Sequence, residues 1–282
     1  MRAAGLEARR AGRRLGFVPT MGALHEGHLS LVRVARSRAD VVALSIFVNP
    51  LQFGPGEDFE RYPRDLERDR ALAGSAGVDL LWVPVREAMY PEPPLVTVSP
   101  GPLADGFEGA VRPGHFAGVL TVVLKLLNVV QPDVAVFGRK DVQQAALIRR
   151  MAADLDVPVQ IVVAPTVREV DGLALSSRNA YLDPEGRRRA AALARALAAG
   201  VAAFRGGQRS GAAVADAALA VLRTDPAIQV DYVACVDPRT FAAAERADAS
   251  TVLALAARIG GTRLIDNVVL GDGLEGDERL GG

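Results

Sequence analysis

Residues 15–35 constrain this chain more than any other stretch. Leu15-Gly16-Phe17-Val18 is a short apolar run bounded by Gly and Pro, so it reads as a buried strand. Beyond it, Leu29, Leu31, Val32 and Ala35 recur at helical spacing, which starts a helix near residues 25–29. Between the two lies Pro19-Thr20-Met21-Gly22-Ala23-Leu24-His25-Glu26-Gly27-His28. In an open parallel sheet, the space above such a strand–turn–helix unit is where ligands sit. The first turn of the helix carries unpaired N–H groups and the positive end of the helix dipole, which together attract phosphate. His25 and His28 are three residues apart and should project from one face of that turn, and Gly27 leaves nothing to block a flat ring or a phosphate. Two imidazoles there suit stabilisation of charge on a leaving pyrophosphate, or proton donation to it. A zinc site needs three or four protein ligands, mostly His and Cys, and the chain offers only His115 and Cys235 of those types besides this pair.

The rest of the first half alternates strand and helix. Strands are expected at 40–48, 78–83, 133–137 and 158–163, with a short one at 95–98. Helices are expected at 57–76, 115–130 and 143–153. That alternation is the signature of a doubly wound α/β fold with a parallel sheet. After it the pattern changes to helices at 184–204 and 210–223 and strands at 229–236, 251–257 and 263–270. Gly260-Gly261 turns between the last two. We therefore expect a Rossmann-like domain over 1–171 and a smaller α+β domain over 172–282, with a frayed tail from Gly271 onward.

Composition closes several classes. The 33 basic and 33 acidic residues cancel, so no basic surface for nucleic acid is implied. A single cysteine excludes an internal disulfide framework and fits a reducing compartment. No apolar run reaches membrane-spanning length, and the Arg-rich start lacks the apolar core of a secretory signal, so a cytoplasmic protein is expected. Among the 33 basic residues only Lys125 and Lys140 are lysines. Lys140 falls in Gly138-Arg139-Lys140-Asp141, the turn after a buried strand. There an ammonium neutralises phosphate as a point charge, and Asp141 serves either ribose hydroxyls or a helix cap. Two further loops carry chemistry. Gln52 lies within a Pro- and Gly-rich loop, Asn49 to Gly56, after the second strand, where it is either a ligand contact or a solvated loop residue. Ser176-Ser177-Arg178 either wraps a triphosphate or caps a helix.

Taken together these segments resemble the pantoate–β-alanine ligases (pantothenate synthetases). The resemblance is carried by Pro19 to His28, Phe47-Val48-Asn49-Pro50-Leu51-Gln52-Phe53-Gly54, Tyr62-Pro63-Arg64 and Gly114-His115-Phe116. It extends through Gly138 to Gln144, Asp171-Gly172 with Ser176 to Asn179, and Arg263-Leu264-Ile265-Asp266-Asn267. The His-x-Gly-His element alone is shared with nucleotidylyltransferases, which stand as the rival class. The resemblance implies ATP-dependent condensation of pantoate with β-alanine through a pantoyl adenylate, with Mg²⁺ screening the phosphates. It implies ATP binding by Met21, Gly22, Ala23, Leu24, His25, Glu26, Gly27 and His28, by Gly138, Arg139, Lys140 and Asp141, by the Val167 backbone, and by Leu175, Ser176, Ser177 and Arg178. His28, His25, Lys140 and Arg178 would be catalytic; Gln52 and Gln144 would hold pantoate, with Gln52 also reaching β-alanine. It further implies a homodimer and a C-terminal domain acting as a lid. The chain departs from the family pattern at Arg139, usually Glu, and at Leu175, usually Met. The first adds charge beside Lys140; the second nearly conserves volume.

Overall fold

The computed structural model describes residues 1–280, and the chain divides into two compact units: Met1–Gly138 with Leu147–Ala164, and Arg139–Ala146 with Pro165 onward. The first unit runs through α1 (Arg2–Arg10), β1 (Leu15–Thr20), α2 (Glu26–Arg36), β2 (Val41–Ile46), α3 (Leu66–Ser75) and β3 (Leu80–Trp82). Two single-turn helices follow, α4 (Arg86–Met89) and α5 (Glu108–Val111), then α6 (His115–Val130), β4 (Val134–Gly138), α7 (Val142–Asp154) and β5 (Gln160–Ala164). Residues of α7 up to Ala146 group with the second unit.

All five strands pair in parallel, in the order β3-β2-β1-β4-β5. The order reverses between β1 and β4, and the crevice outside the carboxyl ends of those two strands is the topological switch point. The central strands β1, β2 and β4 are buried on both faces, as apolar runs in a covered parallel sheet must be. Their period-2 alternation divides the core in two. Phe17, Ala43 and Phe137 meet Phe116, Leu120 and Leu127 of α6 on one face. Val18, Leu44 and Val136 meet Leu31, Val32 and Ala35 of α2 on the other.

Two expectations fail here. The helix expected over 57–76 is only α3: Pro63 disfavours helical backbone at Tyr62, and the Asp65 carboxylate caps the new helix by accepting the Arg68 N–H at 3.0 Å. The strand expected at 95–98 does not form. Leu95 is 99% exposed, so its side chain has no core to enter.

The second unit contains β6 (Val167–Arg168), α8 (Pro184–Arg205), α9 (Gly211–Leu222), β7 (Gln229–Val236), β8 (Val252–Ile259), β9 (Thr262–Val269) and β10 (Glu278–Arg279). Strands β7, β8 and β9 form an antiparallel sheet in that order. Gly260 and Gly261 take positive φ (55° and 82°), the double left-handed turn that a two-residue hairpin prefers. Leu193 and Leu197 of α8, Val214 and Ala218 of α9, and Leu253 and Leu255 of β8 share one core. Cys235 is buried on β7, and burial pushes its thiol up to about 11, so it is inert packing.

Residues 165–171 belong with this second unit, seven residues ahead of the expected division. The reason is electrostatic. Arg168 is fully buried, and all five of its N–H donors are used: Nε on Asp277, Nη1 on Asp266 and the Gly172 carbonyl, Nη2 on Asp266 and the Asn267 carbonyl. Burial pulls the guanidinium's pKa down, and Asp266 and Asp277 more than restore it, so the group stays charged. Asp277 lies in the tail expected to fray. Instead β10 pairs in parallel with β6, and the Asp277 side chain is 1% exposed, because its carboxylate neutralises a buried cation. Gly281 and Gly282, the end of that expected frayed stretch, lie outside the described residues. No helix among the described residues is long and apolar enough to cross a membrane.

Arg168→Leu removes the cation and leaves the buried carboxylates of Asp266 and Asp277 without it, Asp277 keeping only Arg139 as a cationic partner. Urea unfolding should report a loss of about 3–5 kcal/mol; a midpoint equal to wild type would mean that the triad carries no net stability.

Candidate active site

The loop leaving β1 is shaped by one carboxylate. Asp69, buried on α3, accepts the Ala23 N–H at 2.8 Å and the Leu24 N–H at 2.7 Å. Thr20 Oγ1 donates to the Ser45 carbonyl on β2 and accepts the Gly22 N–H. Gly22 has φ +83°, and a Cβ there would stand 2.8 Å from Asp69 Oδ2, so both backbone conformation and space demand glycine. Ala23 also takes positive φ (51°), a strained conformation for a residue with a Cβ, held by the Asp69 bond to its own N–H.

That loop delivers the chain into α2 with His25 as its N-cap rather than as a helical residue. The cap is reciprocal. His25 Nδ1 accepts the Gly27 N–H at 3.1 Å, and His28 Nδ1 accepts the His25 N–H at 3.3 Å. This is a capping box built from two imidazoles instead of a hydroxyl and a carboxylate. It brings the rings to 4.2 Å between centroids. A backbone N–H can only donate, so both Nδ1 atoms are acceptors, and each neutral ring carries its proton on Nε2. Glu26 pairs with Arg33 at 2.6 Å on a solvent-facing side of the same helix.

Gln52 stands beside this loop: its Nε2 lies 3.2 Å from Met21 Sδ. It is buried at the end of a 3₁₀ turn (Pro50–Gln52) capped by Asn49. Asn49 Nδ2 donates to Gln52 Oε1 and to the Gly118 carbonyl, both at 3.1 Å, while Asn49 Oδ1 accepts the Tyr90 hydroxyl at 2.9 Å. At Gly118 a Cβ would lie 2.2 Å from the Leu51 carbonyl oxygen; only glycine lets α6 approach this turn. The Gln52 carbonyl accepts from His115 Nδ1 at 2.8 Å and from Arg112 Nη2 at 3.3 Å. His115 Nε2 in turn accepts from Arg112 Nη1 at 2.9 Å, and Arg112 forks onto Glu57 at 2.6 and 2.7 Å. Carbonyl on one ring nitrogen and guanidinium on the other leave His115 a single neutral tautomer. Burial, reinforced by the Arg112 charge, pulls its pKa down to about 4. Glu57 stays below the ordinary carboxylate range; burial opposes this, and Arg112 outweighs it.

In the second unit, Arg139, Lys140 and Asp141 form a 3₁₀ turn. Asn267 Nδ2 donates to the carbonyls of both Arg139 and Lys140 at 2.9 Å. The Arg139 guanidinium is bound by Asp272 at 2.8 Å and Asp277 at 2.6 Å, so its charge is spent on carboxylates. Gln144 is half-buried in the first turn of α7, whereas Gln143 is buried. The Val167 carbonyl accepts the Leu175 N–H at 2.9 Å. Ser176 Oγ accepts the Arg178 N–H at 3.3 Å and so caps the 3₁₀ turn Ser177–Tyr181, the capping role weighed for this segment. Gly138, the last residue of β4, belongs to the first unit. Within the first unit, then, residues 21–28 and Gln52 come together; within the second, the Lys140 turn and Asn267 do.

Sequence reasoning assigned no role to Asp69, Asn49, Tyr90, Glu57, Arg112 or His115. An acid on the inward stripe of α3 was the one local signal for Asp69. The others act through contacts up to 69 residues apart in sequence (Asn49 to Gly118), which no short window holds.

A parallel doubly wound sheet with a His-x-Gly-His turn at its switch point defines an α/β enzyme of the nucleotide-binding kind. Comparison with known proteins narrows the class. The family model described as pantoate-beta-alanine ligase matches residues 1–269. A pantothenate synthetase of Acidothermus cellulolyticus is 58% identical over 260 residues, covering 90% of this chain and 84% of that one. One from Mycolicibacterium smegmatis is 55% identical over 278 residues, covering 97% and 87%. The crystal structure of the Thermus thermophilus pantothenate synthetase superposes with a TM-score of 0.89 at 52% identity, covering 94% of this chain and 97% of that one. The Francisella tularensis pantoate-beta-alanine ligase, solved with β-γ ATP and β-alanine, superposes at 0.76 with 33% identity, covering 97% of each chain. The chain belongs to the pantoate–β-alanine ligase family, and its reaction is the ATP-dependent joining of pantoate to β-alanine.

His115 generates a pH prediction. Its pKa in the folded protein (about 4) lies below the ordinary histidine value of 6.5, so the unfolded chain takes up the proton first as pH falls. The stability it contributes is therefore complete above pH 6.5 and is lost on descending toward pH 4. In His115→Gln, which cannot titrate, the fall in unfolding free energy between pH 7 and pH 4.5 should be smaller than in wild type by about 2–3 kcal/mol. Parallel profiles would show that the ring is not held neutral.

Proposed function

We propose that this enzyme activates pantoate as an acyl adenylate, with the histidine-capped turn taking the ATP phosphates and Gln52 and Gln144 taking the acid. The observation that carries the reading is the Met21–Gln52 contact: the loop read as the nucleotide site touches the glutamine read as the acid site. A carboxylate oxygen of pantoate attacks the α-phosphorus of ATP, and the bond to the bridging oxygen of pyrophosphate breaks. The amine of β-alanine then attacks the acyl carbon; a C–N bond forms, the C–O bond to AMP breaks, and the amine gives up a proton.

Each residue has a part. The N–H groups of the α2 first turn and the Nε2 protons of His25 and His28 meet the phosphates. Because the cap occupies Nδ1, neutral His28 serves as donor to the departing pyrophosphate rather than as base. Met21, Gly22, Ala23, Leu24, Glu26 and Gly27 shape this bed, and Gln52 also meets β-alanine. From the second unit, Lys140 supplies a compact positive charge, Asp141 a ribose contact, the Val167 backbone an adenine contact, and residues 175–178 a loop whose Arg178 meets phosphate. Gly138 and Arg139 contribute backbone.

Mg²⁺ comes with ATP and screens its phosphates. Phosphate oxygens and water are the hard oxygen ligands that Mg²⁺ takes, and among the described residues no group of three or more His, Cys, Asp or Glu is placed to hold a metal. The single, buried cysteine suits a cytoplasmic setting, and the family resemblance supports a homodimer.

With ATP present, pyrophosphate should appear only when pantoate is added, and AMP only when β-alanine follows. Pyrophosphate formed with a phosphorylated acceptor instead would make the enzyme a nucleotidylyltransferase. Lys140→Ala should slow single-turnover adenylate formation by a factor on the order of 10² or more. Lys140→Arg should also be impaired, since the planar fork needs more room. Near-normal rates in Lys140→Ala would remove that residue from the mechanism.

A further inference from the structure

The C-terminal segment beyond β9 makes an arrangement that the reaction above does not use. The family model ends at residue 269, and the segment follows it. Its Asp272 and Asp277 clamp the two terminal nitrogens of Arg139, and the Gly276 carbonyl accepts a further bond from Nη2 at 3.1 Å. The clamp is itself anchored. Asp277 Oδ2 accepts from Arg168 Nε at 2.7 Å, its Oδ1 accepts the Thr166 N–H at 3.2 Å, and Glu278 and Leu280 donate their N–H groups to the Thr166 and Arg168 carbonyls. From the sheet, Asn267 holds the carbonyls of Arg139 and Lys140. Lys140 Nζ stands 3.9 Å from Asp141 Oδ1, beyond hydrogen-bonding distance.

We infer that residues 272–280 are a positioning element of this enzyme: through Arg139 they fix the turn that presents Lys140 and keep the neighbouring guanidinium off the phosphates. The inference rests on the reading of Lys140 as a phosphate contact. Its physical basis is a division of labour between two cations one residue apart. A guanidinium whose two terminal nitrogens are held by two different carboxylates is fixed in one geometry, whereas an ammonium on a flexible stem, without a short ion pair, stays free to meet a ligand. Without the tail acids, Arg139 would lose its anchor, the turn would keep only its Asn267 bonds, and a second mobile cation would compete for the same anion.

The test uses the whole chain carrying Arg139→Gln, Arg139→Lys or Asp272→Asn, and a chain ending at Gly271, each compared with Lys140→Ala. Backbone amide exchange at residues 139–142 should rise about tenfold in Arg139→Gln and in the shortened chain, as expected when a charge-assisted bond pair is lost from a local structure. The KM for ATP should rise about three- to tenfold, with the KM for pantoate within about twofold of wild type. Arg139→Lys should recover part of both effects, and Asp272→Asn should show a smaller change of the same sign. Unchanged exchange and an unchanged KM for ATP in Arg139→Gln would overturn the inference, as would a loss of thermal stability alone. If the shortened chain does not fold, the Arg139 variants decide. Normal turnover in Lys140→Ala with raised exchange in Arg139→Gln would sink the phosphate role of Lys140 while leaving the tail as the element that orders the turn. Impaired Lys140→Ala beside wild-type Arg139→Gln would do the reverse.

Discussion

A buried carboxylate accepting two consecutive backbone N–H groups is the constraint on which the histidine-capped turn of the first unit depends. Asp69 bonds Ala23 and Leu24 on the inner side of a turn whose residues 22 and 23 both have positive φ. An unmet buried N–H is destabilising by roughly 1–3 kcal/mol, so two such donors on one acceptor can hold a backbone that sterics alone would reject. Once the turn is set, the next residue enters α2 as an N-cap, and the His25–His28 box follows. Imidazole then does the capping work usually given to small polar side chains. The consequence is chemical as well as structural, because a ring that caps through Nδ1 presents a proton at Nε2.

The same economy recurs at Gln52. Its side chain is steered by Asn49, and Asn49 by Tyr90 and by the backbone of α6. Its carbonyl is steered by His115, and His115 by Arg112 and Glu57. Charged and titratable groups make up much of this scaffold, yet the ring at its centre is neutral. Arg112 donates to the imidazole rather than pairing with it, and the carboxylate that balances Arg112 lies on the far side. The second unit uses the stronger form of the same device, a guanidinium with all five donors met by two aspartates and two carbonyls, to tie the chain's last described strand to β6.

Much of the fold was legible in the sequence because the central strands are uninterrupted apolar runs and the helices between them keep a clean stripe. The bounds of α6, an apolar run between Gly114 and Gln131, and of β7 were readable to the residue. The failures share a cause. Residues 57–65 carry helix-forming side chains, but Pro63 and the Asp65 cap override them. Leu95 and Val96 look strand-like, yet no neighbouring strand is there to pair with. The tail looked frayed from its Gly and Asp content, and only two cations more than a hundred residues away, the buried Arg168 on Asp277 and Arg139 on Asp272 and Asp277, explain why acids are needed there. Among the candidate functional residues, the histidine pair, Gln52 and Lys140 stood out in the sequence through rarity and placement. Asp69, Asn49 and Arg112 did not, because their function is to hold other residues through contacts that no local pattern encodes.

Transfer of oxygen from acid to nucleotide is the most direct measure of the chemistry assigned to this scaffold. Pantoate labelled with ¹⁸O in its carboxylate, turned over with unlabelled ATP and β-alanine, should yield AMP carrying one ¹⁸O on phosphorus. Its pantothenate should retain the other label in the amide carbonyl. Unlabelled AMP would mean that no acyl–phosphate oxygen bridge forms, and it would contradict activation of pantoate at the histidine-capped turn.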